Sequence, residues 1–197
     1  MRIAVSSSAF RRPLAAGELT QLEWLEGCAS VLGADGVLAD LEDFPRRDAD
    51  YVAQLRKVAI DLGLVPFGLE AGGLLDPGGG GGTAEALALA TGFGAAVLRT
   101  TLPPPGEVPP ATFVEVTGAA KVLSRAAKAV NVTVLIGAAP GTIGADFEGV
   151  RHLTKDVDSA WLRALPNAAR DPEPGPKDRY PAFIATPADD PVAVAAR

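Results

Sequence analysis

The stretch Asn131–Thr142, NVTVLIGAAPGT, decides how this chain folds. Val132, Val134, Leu135 and Ile136 make an apolar run that stops at Gly137, Ala138, Ala139, Pro140 and Gly141. A short apolar run bounded by Gly and Pro fits a strand covered on both faces, as in a parallel sheet. Helical patterns lie on either side, so the strand belongs to an alternating βα series. In folds of that kind the chemistry gathers at the carboxyl ends of the strands. Here that end carries no acid, no histidine and no hydroxyl before Thr142.

The rest of the chain keeps the same rhythm. Arg2–Ser7 reads as the first strand, and Ser6-Ser7-Ser8 follows as a hydroxyl-bearing turn. A helix capped by Thr20 and stopped by Gly33 places Leu22, Leu25, Ala29 and Leu32 on one stripe. Gly36–Leu41 is the second strand, followed by the acidic turn Glu42-Asp43-Phe44-Pro45. Asp48 caps the next helix, with Val52, Leu55, Ala59 and Leu62 inward and Gly63 at its end. Leu64–Leu69 is the third strand and Glu70 follows it directly. The five glycines Gly78–Gly82 lack both the P-loop Lys-Ser/Thr and the spaced dinucleotide pattern, so they read as a flexible loop.

Thr83–Gly94 is helical, Ala95–Thr100 is the fourth strand, and Leu102–Pro110 is a stiff proline-rich loop. Phe113–Val130 is the longest helix, with Val116, Ala120, Leu123, Ala127 and Val130 on one face. A weaker helix, Gly144–Val157, carries His152 between Arg151 and Lys155, where an exposed surface histidine is expected. Ala160–Leu165 and Ala182–Thr186 are sixth and seventh strand candidates, and 167–181 reads as loop.

Bulk composition narrows the function classes. A chain of 197 residues, 48% hydrophobic, can bury a core as one domain over 1–197, loop-rich from about residue 167. Eighteen basic against 24 acidic residues leave a net charge of -6, which argues against nucleic acid as a partner. No apolar run reaches the roughly 18 residues of a membrane span, and the N-terminus lacks a signal peptide's apolar region. The single cysteine, Cys28, excludes an intrachain disulfide and suits the cytoplasm, the expected location. It sits in an amphipathic pattern and reads as a small buried hydrophobe. One histidine per chain excludes a multi-histidine metal site.

Candidate chemistry lies after the strands. Asp40, Glu42 and Asp43 follow the second, Glu70 the third, and Arg99 ends the fourth. If they share one mouth, the acids are candidates for proton transfer, while Arg99 and Ser7 would hold an anionic or hydroxylated ligand. The competing readings are structural: an exposed acidic turn, an arginine paired with a structural acid, and serines that simply leave a strand.

Taken together, ADGVLADLEDFP (34–45), YVAQLRKVAIDLGL (51–64), ALATGFGAAVLR (88–99), NVTVLIGAAPGT (131–142) and VDSAWLRALPNA (157–168) resemble one family. In order and spacing they are similar to the xylose isomerase-like TIM barrels, the sugar phosphate isomerase/epimerase and endonuclease IV-type family. The resemblance runs from residue 1 to about 172. It implies an α/β, (β/α) TIM-barrel-like domain, and with a full barrel needing about 250 residues, an incomplete one of about six to seven βα units.

It also implies a divalent metal held by acids and a histidine, polarising a sugar carbonyl or hydroxyl while acids move protons. The residues at those positions depart from the pattern. The glutamate after the fifth strand corresponds to Gly137 and the Asn-His that follows it to Ala138-Ala139. The aspartate after the sixth strand falls at or beside Pro166, and the second-strand glutamate is Leu38. Gly, Ala, Pro and Leu offer no side-chain donor to a hard cation.

The expected function is therefore a sugar (phosphate) isomerase/epimerase-like protein without the family's metal and with no other cofactor. It would be a pseudoenzyme binding a small sugar-like or anionic ligand, or a partner subunit. The alternative is an active isomerase, epimerase or lyase whose acid site is Asp40, Glu42 and Glu70. Open sheet edges invite association, so a homo-oligomer or a heteromeric partner is expected with either.

Overall fold

Among the described residues, every helix-to-strand turn passes through a left-handed residue. Gly33, Gly63, Gly94, Asn131 and Asp158 all have positive φ, from 48° to 81°, and each stands between a helix and the next strand. A left-handed residue after a helix turns the backbone back on itself and lets later N–H groups cap its last carbonyls. Leu64 donates to Ala59, Ala95 to Ala90 and Val132 to Ala127, each across five residues. That repeated signal generates the βα alternation.

The computed structural model describes residues 3–76, 82–104, 113–139, 141–143 and 146–166. The strands are β1 (Ala4–Ser6), β2 (Gly36–Asp40), β3 (Val65–Glu70), β4 (Val97–Thr101), β5 (Thr133–Gly137) and β6 (Leu162–Leu165). They form a six-stranded sheet in sequence order, with β1–β2, β2–β3 and β5–β6 parallel. The helices are α1 (Arg11–Ala15), α2 (Gln21–Ser30), α3 (Ala49–Asp61), α4 (Thr83–Phe93), α5 (Phe113–Ala129) and α6 (Phe147–Val157). This is the expected α/β alternation, and among the described residues β1 and β6 are its ends. The expected seventh strand and the loop from 167 lie outside the described residues, as do all but Gly82 of the glycine run and most of the proline-rich loop.

Two compact units are present. The first takes in the described residues up to 71 together with 88–97. Its core sets Trp24, Leu25 and Cys28 of α2 and Val52, Leu55 and Ala59 of α3 inward, with Val37, Ala39 and Leu69 buried on the strands. α2 packs on β2 and on α3, and α3 packs on β3. Thr20 and Glu23 form a reciprocal cap at the start of α2, and Asp48 caps α3 through the Tyr51 N–H. The second unit holds 72–76, 82–87 and the described residues from 98. Val116, Ala120, Leu123 and Ala127 of α5 and Val150, Leu153 and Val157 of α6 are buried with Val134, Leu135 and Ile136 of β5. The apolar stretch of Asn131–Thr142 supplies this core strand.

Three positions expected inside are exposed: Leu22, Leu62 and Val130. The inner face of α2 runs through Gln21, Trp24, Leu25 and Cys28, because burying the indole rotates the helix by about one residue. Leu62 is the C-cap of α3, and Val130 lies past the end of α5, where the helical face no longer continues. Between β1 and α2 the serine turn becomes a 3-10 helix, Ser7–Phe10, which leads into α1.

Candidate functional site

The carboxyl ends of β1 and β2 meet through a serine and two acids. Ser7 starts the 3-10 helix after β1 and is fully buried. Its hydroxyl donates to Asp43 Oδ2 at 2.7 Å and accepts the Asp40 N–H at 2.8 Å. Asp40 ends β2 and caps the 3-10 turn Leu41–Asp43, its Oδ1 accepting the Glu42 N–H at 2.9 Å. That local cap, common for aspartate before a helical turn, turns the Asp43 carboxylate back under β1.

Arg11, the first residue of α1, supplies the balancing charge. Its Nη2 donates to Asp40 Oδ2, Nη1 lies 3.3 Å from Glu42 Oε2 and Nε lies 3.6 Å from Asp43 Oδ1. The Asp40 and Asp43 side chains are 4% and 3% exposed, against 64% for Glu42, so one guanidinium neutralises two buried acids and touches a surface one. The reading of an exposed acidic turn therefore holds for Glu42 and is corrected for Asp43. Gln21 adds a further tie, donating to the Asp43 carbonyl at 2.9 Å and accepting from the Tyr51 hydroxyl.

These surroundings set the proton affinities. Burial pushes the Asp40 carboxyl above its ordinary value; the Glu42 N–H and Arg11 pull it down, and Asp43 and Glu42 push it up again. Arg11 is opposed by desolvation and raised overall by Asp40, Asp43 and Glu42. Elsewhere in this unit burial alone pushes the Cys28 thiol up to about 12, so it has no thiolate character at neutral pH.

Glu70 ends β3 as the register partner of Asp40, so the two acids stand side by side on one face of adjacent strands. Glu70 is half-buried and has contacts of its own. Arg99 belongs to the second unit. Its Nε and Nη2 lie 3.9 Å from where a Cβ on Gly137 would stand, so the guanidinium lies across the end of β5.

The structure thus joins Asp40, Glu42 and Asp43 through Arg11, ties Ser7 to Asp40 and Asp43, sets Glu70 beside Asp40, and seats Arg99 over Gly137. Arg11 is the participant that sequence reasoning passes over. Two buried carboxylates in one turn require a counter-cation, and the Arg-Arg pair after the serine turn was the signal available.

Gly137, Ala138, Ala139 and Pro166 have no side-chain donor, and among the described residues no group of three or more His, Cys, Asp or Glu is arranged to hold a metal ion. Asp40 and Asp43 already face a guanidinium. A separate groove of about 460 Å³ in the second unit is lined by Phe113, Val114, Thr117, Gly118 and Lys121 of α5 and Asp156 of α6. His152 is exposed there, as expected, and stacks on Phe113 at 5.1 Å. Among the described residues no helix is long and apolar enough to cross a membrane.

Several solved structures share this arrangement. A protein described as a xylose isomerase-like TIM barrel/4-hydroxyphenylpyruvate dioxygenase fusion superposes with TM-score 0.70 at 14% identity, over 85% of this chain and 27% of that one. The chain has the fold of the xylose isomerase-like TIM barrel family. A probable 3-DHS dehydratase of petrobactin synthesis from Bacillus anthracis matches this TIM-barrel fold with TM-score 0.67 and 15% identity, over 84% of this chain and 62% of its own. D-psicose 3-epimerase, solved with D-fructose, matches with TM-score 0.61 and 15% identity over 75% and 57%. The chain thus spans less than two thirds of each of these three proteins. No protein-family model matches the chain, and no curated protein does.

Proposed function

We propose that this chain is a sugar isomerase/epimerase-like protein that binds a small sugar-like ligand without metal-dependent chemistry. One observation carries the reading: the buried acids after β2 are consumed by Arg11 and Ser7 and are not displayed as ligands. A carboxylate that faces a guanidinium and accepts a backbone N–H has its charge satisfied inside the protein. Ser7, with its one donor spent on Asp43, serves as the brace that holds the turn. Glu42 is the member of the set open to solvent. The epimerase among the similar structures supports a sugar-like ligand by fold analogy.

The test is a calorimetric screen of ketoses and aldoses, run beside a turnover assay with and without EDTA and added Mn²⁺. Saturable binding without metal-stimulated interconversion supports the reading. Interconversion that needs Mn²⁺ and disappears with EDTA overturns it.

A second reading rests on Asp40 and Glu70 as adjacent acids on one strand face, one with a raised carboxyl. In it this pair moves a proton between neighbouring carbons of a bound sugar, with Glu42 at the rim. Metal-independent epimerisation that falls at least about a hundredfold in Glu70→Gln supports it; no turnover on any sugar in the screen removes it.

We also propose a cytoplasmic location and association through an end strand of the described sheet, with a second copy or a partner subunit pairing with β1 or β6. Light scattering on the purified chain tests the first form, and a monomer at all concentrations rejects it.

A further inference from the structure

We propose that the second unit carries an oxyanion-binding subsite on its sheet face, built from Arg99, Thr101 and Arg163 around the space left by Gly137, and that its ligand bears a phosphate or carboxylate group. In this unit the strand segments are Leu98–Thr101, Thr133–Gly137 and Leu162–Leu165, and their ionisable side chains are two arginines with no carboxylate. The first unit has the opposite charge at its strand ends, with Asp40, Asp43 and Glu70.

The three polar side chains share one face. The Arg99 guanidinium comes within 3.9 Å of the position of an absent Gly137 Cβ, so it lies on the face toward which that Cβ would point. Arg163 pairs in register with Leu135, two residues before Gly137 and therefore on the same face. Thr101 follows Arg99 by two and shares its side of β4.

Exposure fits a site that is open at its rim and drier within. Arg163 is exposed, while Arg99 and Thr101 are half-buried. Arg99 already has a contact within the protein, and its five N–H donors allow it to serve a second acceptor. A guanidinium fork with a neighbouring hydroxyl matches the oxygens of a phosphomonoester or carboxylate, and partial burial strengthens the attraction beyond its value in water. Gly137 matters because a side chain longer than methyl would push the guanidinium off β5. This inference does not require the carboxylates of the first unit to do anything, so it stands or falls apart from the reading above.

The experiment is calorimetric titration of the full chain with inorganic phosphate at fixed ionic strength, with glucose 6-phosphate, glucuronate and glucose as separate arms. Saturable binding of phosphate is expected, with at least one of the two anionic sugars bound more tightly than glucose. Preference for the phosphate or the carboxylate sugar identifies which oxyanion the subsite takes. Arg99→Lys keeps the charge and removes the fork, and should weaken phosphate about tenfold. Arg163→Gln alters an exposed side chain and should weaken it about two- to fivefold with the fold intact. The proposal is overturned if phosphate and glucuronate both fail to saturate, if glucose binds as tightly as both anionic sugars, or if neither arginine variant changes the phosphate affinity.

Discussion

Ser7 and Arg11 show how much one side chain can settle here. Removing the Ser7 hydroxyl leaves the Asp40 N–H and a buried carboxylate oxygen of Asp43 each short of a partner. Ser7→Ala should therefore cost about 1–3 kcal/mol in urea denaturation, the range for an orphaned buried polar group; an unchanged midpoint would mean that water replaces the hydroxyl. Arg11 governs the pH response. Burial raises the folded Asp40 carboxyl, so it holds its proton longer folded than unfolded. Its contribution to stability is present below the ordinary carboxylate value of about 4 and is lost as pH rises through the raised folded value. Arg11→Gln removes an attraction that pulls this carboxyl down, so the loss toward neutral pH grows. The variant should be weaker by roughly 1–3 kcal/mol at pH 7, less than a fully buried pair because Arg11 is half exposed, and should approach the parent below about pH 4. Equal deficits at both pH values would show that Arg11 acts by packing.

At the scale of the elements, the turns and the strand crossings make separable demands on glycine. Gly63 has φ +78° with nothing within 4 Å of a built Cβ, so its need is conformational. Gly63→Ala should cost about 1–2 kcal/mol through left-handed strain alone. Gly68 has no positive φ, but a Cβ there would meet Leu38 Cδ1 at 2.8 Å and the Val97 carbonyl at 3.0 Å. Gly68→Ala should cost about 1–3 kcal/mol through crowding and should shift β3 against β2; denaturation midpoints with amide exchange of β3 would separate the two causes. Strands were legible because apolar runs covered on both faces are broken by glycine and proline, and the six lie within about two residues of their expected bounds. The caps at Thr20 and Asp48 were legible because the hydrogen bonds they make are local. The 3-10 helix at Ser7 and α1 were not, because Ser7 bonds to residues 33 and 36 positions away. No local pattern encodes those partners. The inner face of α2 was missed for a related reason: one indole outweighs a regular leucine spacing.

For the whole molecule, the proposal is that fold and metal chemistry have come apart. The strand order is that of the xylose isomerase-like TIM-barrel fold, while Gly137, Ala138, Ala139 and Pro166 carry no side-chain donor for a hard cation. A cation at the strand ends of the first unit would have to displace Arg11 from two buried acids. A ligand that binds only the folded state raises its melting temperature with concentration. The most direct measurement is the metal content of the purified protein, with melting curves across Mg²⁺, Mn²⁺, Co²⁺ and Zn²⁺. Far less than one metal ion per chain, and melting temperatures unmoved by any of the four, is the expected result. One metal ion per chain, with a melting temperature that climbs as that metal is added, would contradict it and would mean that the carboxylates leave Arg11 to form a working centre.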